Sequence, residues 1–450
     1  MTPNNVLLIV LDAVRKDHLS PYGYDRPTTP NLDEFAEEAT VYDSAIAAAP
    51  WTPTSHAAMF TGQYPSNNGV FGRTPNLAPD RPHVAEALSE RGYRTFGFSN
   101  SYHTSPNRGF DRGFEYYHDI LSLPRFADRM YEPSLDFARH VVDYFLKEYD
   151  DSSYQLRRLR TQLDRTDGPF FGFINCNSAH SPYDPPERFK TEFESYFDEW
   201  DAVDEDAARA VSEDAYRWML GEVEMTDAEW DLLRCWYDGE IRYLDFLLGS
   251  LFDDLRERGL YDETAIIVTS DHGEQFGEDG LIYHQFSLSE RLINVPLLVK
   301  WPEGVEPSTD GGDGLVSLTD IAPTAIDLAG ESPPAAMDGR SLLSEASHDI
   351  VFAEYAGPGT ELRERFDGSE FTIQGLQAAR TPDHKLVRAT DGSETLYRVS
   401  ESRESETEDT AVRERLSERL SADLAPLPSE DTSSEVADHV ADHLEKMGYR

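Results

Sequence analysis

The sequence predicts an α/β protein: a central, mostly parallel sheet sandwiched by helices, with a smaller C-terminal α+β subdomain. Five apolar runs, at 6–11 (VLLIVL), 94–99 (RTFGFS), 170–176 (FFGFINC), 264–270 (TAIIVTS) and 295–299 (VPLLV), are bounded by turn residues and read as buried parallel strands. They alternate with helix-patterned stretches at 30–40, 81–91 and 227–258. Alternation of that kind builds a sheet covered on both faces. Beyond about residue 345 the pattern changes to short strand-like pieces (FTIQGLQAAR, HKLVRAT, ETLYRV). An acid-rich run, SESRESETEDT, follows as an expected exposed loop, and then a last helix ending at Gly448.

These shifts divide the chain into a larger α/β domain over 1–345 and a subdomain over 346–450. Within the first, the acidic, helix-patterned stretch 187–226 interrupts the alternation. It reads either as a solvated helical pair or as a lid over the carboxyl ends of the strands. Ligands of such sheets sit at that rim, where Asp12, the loop after Cys176 and Asp271 all fall.

The formal net charge is -45, from 85 acidic against 40 basic residues, and only six of the basic residues are lysine. Acid spread along the whole chain reads as a solvation strategy, because self-repulsion is tolerable where molar salt screens it. We therefore expect a salt-loving host, and an unfolding midpoint that rises from low to molar salt; a midpoint indifferent to salt would sink that reading. The same field argues against nucleic acid as a partner, since no basic stripe exists to displace phosphate counterions. Cys176 and Cys235 lie in apolar surroundings without metal-ligand spacing and read as buried thiols. The opening apolar run is too short for a membrane span or a leader and is followed at once by Asp12, so a cytoplasmic location is expected.

Three segments carry residues suited to chemistry. Asp271 and His272 follow a strand directly and precede Gly273, which presents a carboxylate and an imidazole together on a tight turn, as metal ligands require. Asp12 ends the first strand, and two such acids on adjacent strands would repel unless a cation or proton lay between them. The segment 50–62, PWTPTSHAAMFTG, places hydroxyls and a proline at a helix start, so Thr52 would sit where helix amides attract anions.

Taken together, LIVLDAVRKDHLSPYG, TTPNLDEFAEEA, TPTSHAAMFTGQYP, YDGEIRYLDFLLGSL, TSDHGE, NVPLLVKWP and the closing EKMGYR resemble, in order, the sulfatase family of the alkaline phosphatase superfamily. The resemblance implies an alkaline-phosphatase-like fold and an enzyme acting on an anionic sulfate or phosphate ester. It puts Asp12, Asp271 and His272 at metal positions, Thr52 at the nucleophile position and beside the metal, and His180 and His284 at positions that touch the ester or its leaving group. Departures are equally informative. Relatives that make formylglycine carry Cys or Ser, then a proline two residues on and an arginine two beyond, where this chain has Thr52, Thr54 and His56. Threonine cannot become formylglycine. Ala13 stands at the second metal aspartate and Asn68 at a usual histidine.

The expectation is a phosphate mono- or diester cleaved through Thr52 with one divalent metal, manganese first on ligand type and magnesium, calcium or zinc after it. His180, Asp184 and His284 are loose candidates for a second metal, and His56 for the role of the absent arginine at the reacting anion. A sulfuric ester hydrolase acting on a sulfated glycan or small molecule is the first alternative. A sulfatase-like binding protein that has lost catalysis is the second.

Overall fold

The computed structural model describes residues 4–72, 75–119, 151–198, 200, 203–306, 312–344, 347–369, 371, 373–400 and 403–427. Its main sheet has seven strands, in the order Thr40–Val41, Leu297–Lys300, Thr264–Thr269, Asn5–Leu11, Phe170–Cys176, Arg94–Ser99, Tyr116–Asp119. Asn5–Leu11 lies at its centre, parallel to Phe170–Cys176 on one side and to Thr264–Thr269 on the other. Four of the five apolar runs are the parallel strands expected. The fifth is not. Pro296 has no N–H to continue a ladder, so the run breaks there. Asn294–Val295 pairs with Ser44–Ile46 in a separate small sheet, while Leu297–Lys300 joins the main sheet antiparallel to Thr264–Thr269.

Alternate residues of each central strand feed opposite layers, as the pleat requires. Leu7, Ile9, Phe170, Ile174, Ile266 and Val268 pack with the long helix Asp227–Glu257 on one face. Val6, Leu8, Val10, Phe171, Phe173 and Ile267 pack on the other against helices Thr52–Thr61, Val84–Ser89 and Ile321–Leu328. The stretch 187–226 forms helices Glu187–Glu194, Glu205–Glu213 and Tyr216–Met219. Their buried Phe189, Phe193, Ala208 and Val211 seal them onto the core, so only their outer faces are solvated.

The C-terminal part is a five-stranded antiparallel meander beginning at Val351–Tyr355, with helix Thr410–Asp423 packed on it through Leu416 and Leu420. The acid-rich run expected as a loop contributes its edge strand, Arg403–Glu406, because the buried ammonium of Lys385 pairs with Glu404 and draws the run onto the sheet. The helix expected to end at Gly448 lies outside the described residues. Cys176 and Cys235 are free and buried, and no described helix is long and apolar enough to cross a membrane.

The four described lysines share one setting. Lys16, Lys190, Lys300 and Lys385 each hold the ammonium over an aromatic ring, at 5.0, 5.4, 4.7 and 5.5 Å. Lys300 and Lys385 also donate to the main-chain carbonyls of Tyr261 and Leu288. Lys16, Lys300 and Lys385 are buried, so three of the four serve as compact interior cations.

Candidate active site

The sheet brings the two strand-end acids together. Asp12 extends the central strand by one more ladder bond, its N–H donating to the Cys176 carbonyl at 2.9 Å. Asp271 follows Thr264–Thr269 next door. Asp12, Asp271 and His272 offer ligand atoms that all lie within 4.8 Å of one another, and all three residues are buried.

Each carboxylate has one oxygen saturated by neutral donors. Asp12 Oδ2 accepts from the Asn175 and Asn177 amides, both at 3.1 Å. Asp271 Oδ1 accepts from the main-chain N–H groups of Ala13 and His272, at 3.2 and 3.0 Å. Their other oxygens, Asp12 Oδ1 and Asp271 Oδ2, are buried without a hydrogen-bond partner. Both face His272 Nε2, at 3.9 and 3.5 Å. His272 Nδ1 is 2.9 Å from the Gly273 carbonyl, which can only accept, so Nδ1 carries the proton and Nε2 presents its lone pair to the acids. Gly273 is required beside it, since a Cβ there would come within 1.9 Å of the Arg291 carbonyl oxygen.

This is a cage of bare donors around a centre of unbalanced negative charge. Burial raises the pKa of Asp12, helped by Asp271, and burial likewise raises that of Asp271. Burial, with His284 close by, lowers His272 to about 3 and keeps it neutral. Orphaned carboxylate oxygens that no neutral donor fills, together with a neutral imidazole, fit a divalent cation.

Thr52 opens a ten-residue helix that is buried throughout and closes at Gly62 in the left-handed conformation. Trp51 caps it in extended backbone, and Pro53 sets the first turn. The helix is pinned to the loop of Asp271 and His272 by Ser55 Oγ, which donates to the Asp271 carbonyl at 2.7 Å. Thr52 Oγ1 thereby lies 3.2 Å from His272 Nε2. Above it opens a cavity of about 260 Å³, lined at its base by Asp12, Thr52 and Asn177 and on its wall by His103, His180 and His284. His284 is buried against His272, ring centroids 4.2 Å apart, and against His180 at 5.2 Å. Burial and His180 push its pKa well below the ordinary imidazole value. The lining also includes Trp51, Tyr216, Tyr283 and Arg365, which forms a bidentate pair with Asp214 at 2.6 and 3.0 Å. Part of the acidic stretch, Glu213–Tyr216, thus borders the cavity.

The sequence model of the family described as Sulfatase matches residues 4–331 of these 450. The chain belongs to the sulfatase family. It is similar to the multifunctional alkaline phosphatase superfamily protein PehA of Trinickia caryophylli, 25% identical over 401 residues that cover 76% of this chain and 77% of that one. It is also similar to an arylsulfatase of Clostridium perfringens, 25% identical over 382 residues, 75% of this chain and 77% of the relative. The phosphonate monoester hydrolase of Agrobacterium radiobacter shares the fold with a TM-score of 0.72 and 22% identity, over 93% of this chain and 95% of that structure.

Within this sulfatase-family hydrolase the structure places Asp12, Thr52, His180 and His284 on one cavity, with Asp271 and His272 grouped behind Asp12 and Thr52. It does not bring His56 there. One helical turn after Thr52, the His56 ring turns back so that Nδ1 donates to the Thr52 carbonyl at 2.8 Å and lies 3.5 Å from Asp271 Oδ2. Its edges pack on Phe60 and Phe173. That position lies behind Thr52 and off the cavity lining. Asp184 is not among the cavity-lining residues either. Ala13 adopts φ 61, a left-handed value worth about 1–2 kcal/mol of strain for alanine. Its N–H bonds to Asp271 and its carbonyl accepts from Tyr237 at 2.7 Å, so the position still serves the site through the main chain. Asn68 is held in a turn with Gln63 and Val70.

Sequence reasoning missed Asn175, Asn177, His103 and Arg365. Asn175 carried a usable signal, as an amide inside an otherwise apolar strand one residue from its carboxyl end. Asn177 opens the loop after Cys176 that the strand pattern places at the rim, whereas His103 and Arg365 carried no signal, each lying in a short helix remote from any motif.

Proposed function

We propose that this enzyme cleaves a phosphate mono- or diester through Thr52. The observation that carries the reading is the placement of Thr52 Oγ1, at a helix start, 3.2 Å from an imidazole lone pair that also faces two bare carboxylate oxygens. Asp12, Asp271 and His272 would hold a divalent metal, manganese by preference, which supplies Lewis-acid chemistry by lowering the pKa of an adjacent alcohol and neutralising charge on the ester.

The protein's own groups do the rest. Asn175 and Asn177 hold Asp12, Ser55 holds the Asp271 carbonyl and His56 holds the Thr52 carbonyl. Thr52 Oγ1, its proton given to solvent, forms a bond to phosphorus as the bond to the leaving oxygen breaks. An imidazole of the cavity wall, His180 or His284, gives that oxygen a proton. Water or an acceptor alcohol then displaces Oγ1, giving its proton to the same ring while Oγ1 takes one back from solvent, so hydrolysis and transfer differ only in the acceptor.

Phosphorus is favoured because a sulfated threonine lacks the elimination that releases sulfate from a hydrated formylglycine. Family membership favours the second reading, a sulfuric ester. Purified protein in molar salt with manganese should therefore turn over a nitrophenyl phosphate mono- or diester. Turnover of the matched sulfate ester alone would reverse the ranking, and silence on all three esters would put the binding-protein reading first.

A further inference from the structure

Asp271 and His272 are carried by a loop of the main sheet, yet part of what holds that loop comes from the C-terminal sheet. Gly273 is engaged at both ends: its N–H donates to the Leu292 carbonyl at 2.8 Å, and its own carbonyl accepts from His272 Nδ1 at 2.9 Å. Leu292 belongs to Glu290–Ile293, a helix of a single turn, and one turn has no stability of its own. Its place must be set from outside.

Two grips set it. Leu292 and Ile293 are buried in one apolar cluster with Val351, Ala353 and Ala378 of the C-terminal sheet, a contact that fixes depth but not direction. Direction comes from the buried Glu290. Arg380 donates to both of its oxygens, Nε to Oε1 at 3.1 Å and Nη2 to Oε2 at 3.3 Å. Lys385 Nζ lies 3.4 Å from Oε1 and donates to the Leu288 carbonyl at 2.6 Å. Glu404, paired with Lys385, accepts from the Glu290 N–H at 3.3 Å. A guanidinium fork on a carboxylate fixes angle as well as distance.

We propose that Arg380 and Lys385 are positioning residues for the metal-ligand loop: through Glu290 they fix the turn whose Leu292 carbonyl holds Gly273, and thereby the ring of His272. The inference rests on the reading of Asp12, Asp271 and His272 as the holders of a divalent cation. Neither Arg380 nor Lys385 is among the cavity-lining residues, so they act on the site through this relay. The C-terminal sheet is therefore part of the metal site, although the three ligands all lie outside it.

The test is manganese affinity, read by calorimetry on the full chain in molar salt. Glu290→Gln combined with Arg380→Met removes the fork while leaving Lys385 paired with Glu404, so no buried charge is stranded. Its Kd for manganese is expected to rise at least ~10-fold, as when a group that orients a metal ligand is lost. Leu420→Ala is the control, because it loosens helix Thr410–Asp423 on the same sheet and lowers the unfolding midpoint without touching Glu290. Its Kd should equal that of wild type. Arg380→Lys keeps the charge and loses the fork; it should show a smaller rise, and it serves as the reading if the double variant does not fold. An unchanged Kd in the folded variant, or an equal rise in Leu420→Ala, would overturn the inference alone. A wild type that binds no manganese would sink the metal reading and this inference with it.

Discussion

Replacing Thr52 by alanine is expected to lower kcat on the preferred ester by on the order of 10⁴-fold or more, as removal of a covalent nucleophile does. The fold should survive. The Thr52 side chain is a small group on the first turn of a helix held elsewhere by Ser55, by Gly62 at its end and by the apolar layer beneath it. Thr52→Ser is the matching control, because it keeps the hydroxyl and loses only a methyl group, and it should retain activity within about 10-fold. A kinetic comparison of the two with unfolding midpoints alongside separates chemistry from stability. If the alanine variant keeps a sizeable fraction of wild-type turnover, Thr52 is a bystander and water is attacking directly.

Removal of divalent metal by a chelator is expected to abolish turnover and lower the unfolding midpoint, with manganese restoring both. The physical reason is the pair of bare oxygens on Asp12 and Asp271, buried against each other with only neutral donors on their second oxygens. A ligand bound to the folded state at 100 times its Kd adds about 2.7 kcal/mol of stability. The pH dependence has a definite sign. Both carboxyls have folded pKa values raised above their unfolded ones, so in metal-free protein their contribution is most favourable at low pH and is lost as pH rises through the raised values. Metal competes with those protons, so its stabilising effect should grow as pH rises from mildly acid to mildly alkaline. Asp271→Asn should lose the metal-induced shift and, without metal, unfold at a higher temperature than metal-free wild type, because it removes one of two repelling charges. Calorimetry with and without manganese reads both. A variant less stable than the metal-free parent would show that the acids do not repel as described.

Much of this site was legible because its ligands sit where a sheet must put them. Asp12 and Asp271 each end an apolar strand, and parallel pairing of neighbouring strands brings such ends together with no tertiary detail needed. Thr52 was legible from the proline and small residues that build a buried helix start. The orientation of His56 was not legible, because spacing fixes the helix face only roughly, while the ring's turn back onto the Thr52 carbonyl depends on packing by Phe60 and Phe173. The antiparallel strand was missed because an apolar run buried on both faces reads alike in either direction, and Pro296 was the single clue to the break. Arg365 and Asp214 lie far apart in the chain and meet only in the folded protein, so nothing local to either residue marks them as the wall of a cavity.

The central claim is a covalent intermediate on Thr52, and the most direct measurement is to trap it. Wild-type protein mixed with a nitrophenyl phosphate ester is quenched in acid within the first turnovers, digested and weighed peptide by peptide. The peptide carrying Thr52 should gain the mass of one phosphoryl group, and the corresponding peptide from Thr52→Ala should not. Continued turnover with an unmodified Thr52 peptide at every quench time, or the modification on any other residue, would contradict the account.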